Sequence, residues 1–412
     1  MSSEQVLYLI CLLIVPLAIG YGFHRDFRYE KLVNEKEAVY KPGSGRVTTG
    51  YLSPMLGPVY LLATLTTYFL FMGWQAGLVY SGELLGRAML VVLVYYPLLL
   101  LALPLLRRVV SARCCAVLGT LPAFLFVCGF LTDLIQLWPP KMAIRLPKGL
   151  PATLIAVWLA GAGAILLWKL VEHRYFRHVI LGPAWEVTDG ETLELWDYEQ
   201  QRIERPKDKR IPLAISPTAT SPVTIGLFAS TQVTALPDRP YSQEELELIF
   251  RHELRHVQRL DSNAKFFYTL CLAFCWFYPP MWLVYRNATA DLELSCDEMV
   301  LDRADEGRRE QYARLLLSQA GDDRGFSTCL SGSAKALEHR LKNILHPRRR
   351  LEGAVLVTLT MVALLALGSS VAVTDTYGTV EELVLDRLPP AQLSAGYEGD
   401  EWDEEAVLDV LE

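Results

Sequence analysis

His252-Glu253-Leu254-Arg255-His256 sets two imidazoles four residues apart, and Glu293 follows 37 residues after the second of them. On a helix, side chains at i and i+4 share a face about one turn apart. Two imidazole nitrogens so placed suit one tetrahedral Zn²⁺ per chain, with the intervening glutamate beside them as general base. The chain holds only seven histidines in 412 residues, so finding two in this pattern is a strong signal. Glu293 is the candidate third ligand; on spacing alone Asp261, Asp291 and Glu298 stay open as alternatives. Two histidines and one carboxylate leave the fourth zinc position for water, as in a hydrolytic rather than a structural site. Zinc lowers the pKa of that water and polarises a scissile carbonyl, while Glu253 takes the proton and later delivers it to the leaving amine. Asp297, four residues after Glu293, shares its helix face and is placed to accept the second ring N–H of a ligating histidine. The metzincin pattern needs Gly at 259 and His at 262; Arg259 and Ser262 stand there and exclude it. Arg286 and Tyr312 are positional candidates for stabilising an oxyanion.

Several elements must position these groups. Ser242-Gln243-Glu244-Glu245 forms a capping box that starts a helix running to about 260. Ahead of it, residues 211–215, 222–228 and 231–236 are short, β-rich and separated by Pro, Ser and Thr, which reads as strands. Pro222, Val223, Thr224, Ile225 and Gly226 are the candidate edge strand on which an extended peptide substrate would pair. Trp185 to Trp196 alternates around Asp189-Gly190 and reads as a hairpin. Residues 264–285 are apolar enough to suggest a membrane span, yet a single crossing would put Glu293 on the opposite side from His252. Pro279-Pro280 breaks the stretch. The expectation is a bent, membrane-associated hairpin that returns to the same side, followed by a helix from Arg286 to Asp302.

Hydrophobic residues make up 52% of the chain and charged residues 21%. Long apolar runs lie at 5–23, 56–80, 86–106, 114–137, 151–170 and 352–373, each near the ~20 residues that span a bilayer as a helix. The flank Met1-Ser2-Ser3-Glu4 carries no positive charge, so the first run reads as a retained span rather than a cleaved signal. Lys and Arg cluster at 25–46, 107–113, 169–177 and 342–350. Five spans from an outside N-terminus put all four clusters in the cytoplasm. One loop runs against this, with Lys141, Arg145 and Lys148 on the outer side. The expected domains are a membrane region over 1–170, a soluble region over 171–351, a last span over 352–373 and an acidic outside tail over 374–412. That tail has twelve acidic residues and one basic residue, which reads as disordered. Its end, Glu404 to Leu411, could form an amphipathic turn on a partner. The net charge of −7 comes largely from the tail and gives no basis for direct nucleic-acid contact. Eight scattered cysteines include no Cys-x-x-Cys pair, so neither a disulfide framework nor a zinc knuckle is expected. Asp133 lies in an apolar run near its outer end, and the small, polar stretch from Gly321 to Lys335 suits either a self-cleavage site or an ordinary loop.

From Pro222 to Leu351 the chain resembles the M56 family of membrane metallopeptidases, which includes the β-lactam sensor-transducers of the BlaR and MecR type. The resemblance is carried by Ile225-Gly226, Leu236-Pro237, His-Glu-Leu-x-His-x-x-Arg-x-Asp at 252–261 and Trp276-Phe277-Tyr278-Pro279. Glu293-Leu294-Ser295-Cys296-Asp297-Glu298, Tyr312-Ala313 and Leu341-Lys342-Asn343-Ile344-Leu345 complete it. It favours Glu293 as third ligand. It implies an α+β gluzincin-type zinc metallopeptidase domain in the cytoplasm, embedded among transmembrane helices; with the apolar runs and the Lys/Arg placement, the expectation is a multi-pass α-helical protein of the plasma membrane with both termini outside. It further implies regulated proteolysis in response to an outside stimulus, acting on a cytoplasmic protein such as a winged-helix transcriptional repressor and on the chain itself. The expectation departs from the sensor-transducers in two respects. Five spans precede the soluble region, and the residues after the last span contain no Ser-x-x-Lys, so a penicillin-binding sensor is not expected. The competing readings are a non-catalytic transducer and a membrane quality-control protease.

Overall fold

The computed structural model describes residues 3–34, 54–124, 142–145, 152–203, 210–320, 334–374, 397–398 and 401–402. Its described part is mostly helical with a small mixed sheet. That sheet combines β2 (Trp185–Glu186), β3 (Leu213–Ser216), β4 (Val223–Ile225) and β5 (Val233–Pro237) in the order β2-β3-β5-β4. β3 and β5 run parallel, while β2 and β4 pair antiparallel to their neighbours, so β4 is an edge strand. The three expected strands are therefore present. The β2–β3 edge is followed by something other than the expected hairpin. Asp189 caps a helix, α5 (Gly190–Arg202), its Oδ2 accepting from Thr192 N at 3.0 Å and from Thr192 Oγ1 at 2.5 Å. Aspartate serves a helix N-cap as well as a turn. What decides here is that Trp196, Glu199 and Gln200 bury together at helical spacing.

The helix α6 (Gln243–Gln258) begins at the capping box as expected: Ser242 Oγ accepts from Glu245 N and Glu245 Oε2 accepts from Ser242 N. Its apolar face, Leu246, Ile249, Phe250, Leu254 and Val257, packs with Trp196, Ile211, Leu236 and Tyr312 in one core. Trp196 and Phe250 meet edge to face at 4.8 Å. A turn then leads into α7 (Asp261–Phe274), and the chain breaks at 275–278 before α8 (Pro279–Val300). The break lies where proline was expected to impose it, because proline is well suited to the first helical position and poorly to the interior. No second helix starts at Arg286; α8 runs through it. Beyond α8 lie α9 (Glu306–Ala320) and α10 (Ala334–Leu345).

The remaining helices are α1 (Ser3–Asn34), α2 (Leu56–Val109), α3 (Ala112–Thr120), α4 (Ala152–Leu181) and α11 (Ala354–Ser370). Leu84–Val109 of α2 and Ala156–Leu181 of α4 are long and apolar enough to cross a membrane; Leu56–Phe71, Ala112–Phe124 and Ala354–Leu367 are shorter apolar helices. Where a break was expected at 81–85, α2 continues. It is interrupted instead at Gly73, whose φ of 78° is costly for any residue with a Cβ. α4 runs past residue 170 into the expected soluble region. The last apolar run ends its helix at Ser370, because Val371–Thr374 forms β6 and pairs in parallel with β1 (Met142–Arg145). Within the tail expected to be disordered, β7 (Tyr397–Glu398) pairs with β8 (Glu401–Trp402). Asp133, most of the 321–335 stretch and Glu404–Leu411 lie outside the described residues.

A second core joins the two kinds of helix. Phe267, Tyr268, Leu272, Met281, Val284 and Leu292 of α7 and α8 share it with residues of α1, α2, α3 and α11. The α7–α8 turn also docks on α4. Trp158 Nε1 donates to the Phe274 carbonyl at 2.8 Å, and Trp276 Nε1 donates back to the Trp158 carbonyl at 3.3 Å. Gly161 allows this approach, since a Cβ there would meet the Trp276 ring.

Candidate active site

The helix α6 presents His252 and His256 toward α8, and α8 presents Glu293 back. His252 Nε2 and His256 Nε2 lie 3.2 Å apart, and Glu293 Oε2 lies 3.4 and 3.5 Å from them. Tetrahedral coordination with ligand bonds of about 2.0–2.1 Å puts neighbouring ligand atoms about 3.3 Å apart, so this near-equilateral triangle fits Zn²⁺. Glu293 Oε2 is buried without a hydrogen-bond partner, although Arg340 Nη1 approaches to 3.4 Å. A buried carboxylate oxygen left without a donor, beside two imidazole nitrogens, is a donor set for a cation. Burial opposes ionisation of Glu293, but His256, His252 and Arg340 hold its carboxyl well below the usual carboxylate range.

The other ring nitrogens are engaged differently. His256 Nδ1 lies 2.7 Å from Asp261 Oδ2 and 3.3 Å from Cys296 Sγ. Asp261 is brought there by Leu260, which adopts the left-handed conformation (φ 56°, ψ 41°) between α6 and α7. Arg259, fully buried, donates to Asp261 Oδ2 at 2.8 Å, to Ser295 Oγ at 2.9 Å and to the Leu292 carbonyl at 3.1 Å. Burial raises the Asp261 pKa, but Arg259 and His256 more than offset it and hold it at about 2. The Arg-x-Asp that follows the second histidine thus fixes that histidine and staples α6 to α8.

His252 Nδ1 lies 2.8 Å from the Tyr312 hydroxyl, which donates to Asp297 Oδ1 at 2.8 Å. Arg340 of α10 clamps Asp297 through two bonds of 2.7 Å. Asp297 itself is 3.6 Å from His252 Nδ1, so the expected direct acceptor acts through Tyr312. The phenol is long enough to fill the gap from α9, which spacing along α8 could not reveal. Tyr312 stands on the far ring nitrogen of His252 and is therefore not positioned as an oxyanion donor. The alternative third ligands are committed elsewhere. Asp261 holds His256, Asp291 pairs with Arg107, and Glu298 accepts from Ala112 N at 2.6 Å.

Glu253 follows His252 on α6, and Thr224 of the edge strand β4 donates to its Oε2 at 2.9 Å. Thr224 in turn lies 2.9 Å from Thr234 Oγ1, its register partner on β5. The candidate edge strand therefore touches the candidate base directly. Sequence reading missed Arg259, Arg340 and the roles of Asp261 and Tyr312. The Arg-x-Asp spacing was the available signal for the first pair; Arg340 had none.

Residues 143–344 match the family described as BlaR1 peptidase M56. Regulatory protein BlaR1 of Bacillus licheniformis is 25% identical over 240 residues, which cover 55% of this chain and 39% of that protein. The match thus spans less than half the length of the curated relative. The His-Glu-x-x-His helix, the facing Glu293 and the Arg-x-Asp staple all fall inside the matched segment, which is similar to an M56 peptidase domain.

Proposed function

We propose that this chain is a multi-pass membrane zinc endopeptidase that works in signal-transducing proteolysis. The observation that carries this reading is the triangle of His252 Nε2, His256 Nε2 and Glu293 Oε2, with Glu253 next to His252 on the same helix, inside the segment that matches the M56 peptidase family. Those three residues would hold zinc, which supplies Lewis acidity toward a water and a peptide carbonyl. Glu253 takes the proton from that water and returns it to the leaving amine. Thr224 keeps the Glu253 carboxylate oriented, and the free edge of β4 offers backbone groups to an extended substrate. Asp261 and Tyr312 fix the ring orientations of the two histidines.

The gluzincin class follows from a glutamate third ligand on a later helix. The proposed layout places 1–170 in the membrane, 171–351 on the cytoplasmic side, 352–373 as the last span and the tail outside. Two features support it. α4 and a stretch of α2 are long and apolar enough to span. Strand β6, after the last apolar helix, pairs with β1, the other segment assigned to the outer side. The tryptophan-docked α7–α8 hairpin keeps Glu293 on the same side as the histidines. The substrate in this reading is a cytoplasmic protein, such as a winged-helix repressor, and the chain itself is a second target. The regulatory name of the B. licheniformis relative supports a signalling role.

The test pairs metal content with proteomics. Purified chain should hold about one zinc, and Glu253→Gln should keep the metal while abolishing cleavage of substrates found by comparing cells with wild-type and variant protein. Normal processing by the variant would favour a non-catalytic transducer and overturn the proposal.

A further inference from the structure

α8 is two-faced. At ~100° per residue, Asn287, Asp291 and Glu298 fall within about 40° of one line, and Glu293 projects about 160° from Asp291. The Glu293 face forms the metal triangle. The opposite face is clasped by the apolar helices. Arg107, at the end of the long apolar helix α2, donates to Asp291 Oδ1 at 2.7 Å and Oδ2 at 2.9 Å, and to Asn287 Oδ1 at 3.3 Å. Asp291 is buried, only 2% exposed. Glu298 accepts from Ala112 N, the first residue of α3, at 2.6 Å. Lys31 of α1 reaches Asp302, just past α8, at 3.4 Å.

We propose that Arg107 and Asp291 are positioning residues for the metal site, the link through which α2 sets where Glu293 sits. Three features carry this. The bond is a two-pronged guanidinium–carboxylate contact, which fixes orientation as well as distance. Its carboxylate is buried and Arg107 is partly buried, so the carboxylate depends on Arg107 for its charge partner. It also lies two residues from Glu293 on a rigid helix, so a shift of α2 relative to α6 changes the separation of Glu293 from the two histidines. Glu293 shares α8 with Asp291, whereas His252 and His256 lie on α6 and are joined to α8 through Arg259, so among the described residues the third ligand is the one tied to α2 directly through its own helix. A stimulus that moves the apolar helix would then open or close the triangle.

This inference rests on the zinc-peptidase reading, and the experiment separates the two. Full-length chain in detergent is loaded with Co²⁺, whose visible absorption reports coordination geometry independently of any cleavage, and affinity is measured by chelator competition. Arg107→Ala and Asp291→Asn should each alter the cobalt spectrum and weaken affinity about tenfold, the lower range for residues that support metal ligands. The exchange Arg107→Asp with Asp291→Arg should restore both, and Arg108→Ala, at an exposed neighbour, should change neither. If Arg107→Ala does not fold, Arg107→Lys is read in its place, since it keeps the charge and loses the fork. Single variants with the wild-type spectrum and affinity, or a folded exchange that restores nothing, overturn the inference alone. Wild-type chain that takes up no metal overturns the peptidase reading and the inference together.

Discussion

His256 takes the partner for its second nitrogen from Asp261, five residues along the chain, whereas His252 takes its own from Tyr312, sixty residues away. The near arm is closed by the tight turn at Leu260 and by Arg259, both within the family's histidine motif. The far arm needs three further helices: α9 brings Tyr312, α8 brings Asp297, and α10 brings Arg340 to hold Asp297. One ligand is therefore oriented once α6 and its turn form. The other is oriented only when the C-terminal helices have docked, so half of the candidate metal site depends on the assembly of the whole domain.

That contrast can be broken at several levels. The largest effect should come from the ligands themselves: His252→Ala or His256→Ala should lose stoichiometric zinc, read by metal analysis, and equal retention in both would remove the site. Next is Arg340→Ala, which leaves Asp297 buried without its cation. Breaking a buried pair in this way costs about 3–5 kcal/mol, so thermal unfolding should shift markedly. The shift should be accompanied by weaker metal binding, because Asp297 then no longer anchors Tyr312.

The two arms are compared most directly by Asp261→Asn and Asp297→Asn. Each should weaken zinc about 10–100-fold in chelator competition. Added denaturant that loosens α9 and α10 should enlarge the loss at Asp297 and leave the loss at Asp261 unchanged. Identical responses would mean that the arms are not independent. The smallest effect is Tyr312→Phe, which deletes one buried hydroxyl link and should cost on the order of 1 kcal/mol in stability. Metal affinity should fall less than for Asp297→Asn; a larger fall would show that the tyrosine does more than relay.

Local patterns were legible in the chain. The capping box at Ser242 and Glu245, the i, i+4 histidines, the shared face of Glu293 and Asp297, and the proline break at 279 each depend on residues within one element or turn. Backbone geometry fixes those relations before any packing occurs. The edge strand was expected at 222–226, ahead of the histidine helix, and β4 (Val223–Ile225) lies at the edge of the sheet. The reading failed where two local solutions compete. Asp189-Gly190 suits a hairpin or a capped helix, and burial of Trp196 against Phe250 selects the helix.

By itself, then, the sequence determined the candidate ligand helix and its candidate base, since spacing along a helix is covalent arithmetic, while Glu293 was favoured among four carboxylates only by the family resemblance. Only the tertiary structure decided which distant groups complete the site. Tyr312 stands between His252 and Asp297, Arg340 locks them, Asp261 serves His256 rather than the metal, and Asp291 faces Arg107. The physical reason is that side-chain reach between separate elements depends on which helices pack and at what separation. That is set by the shared apolar cores, not by the order of residues along any one element.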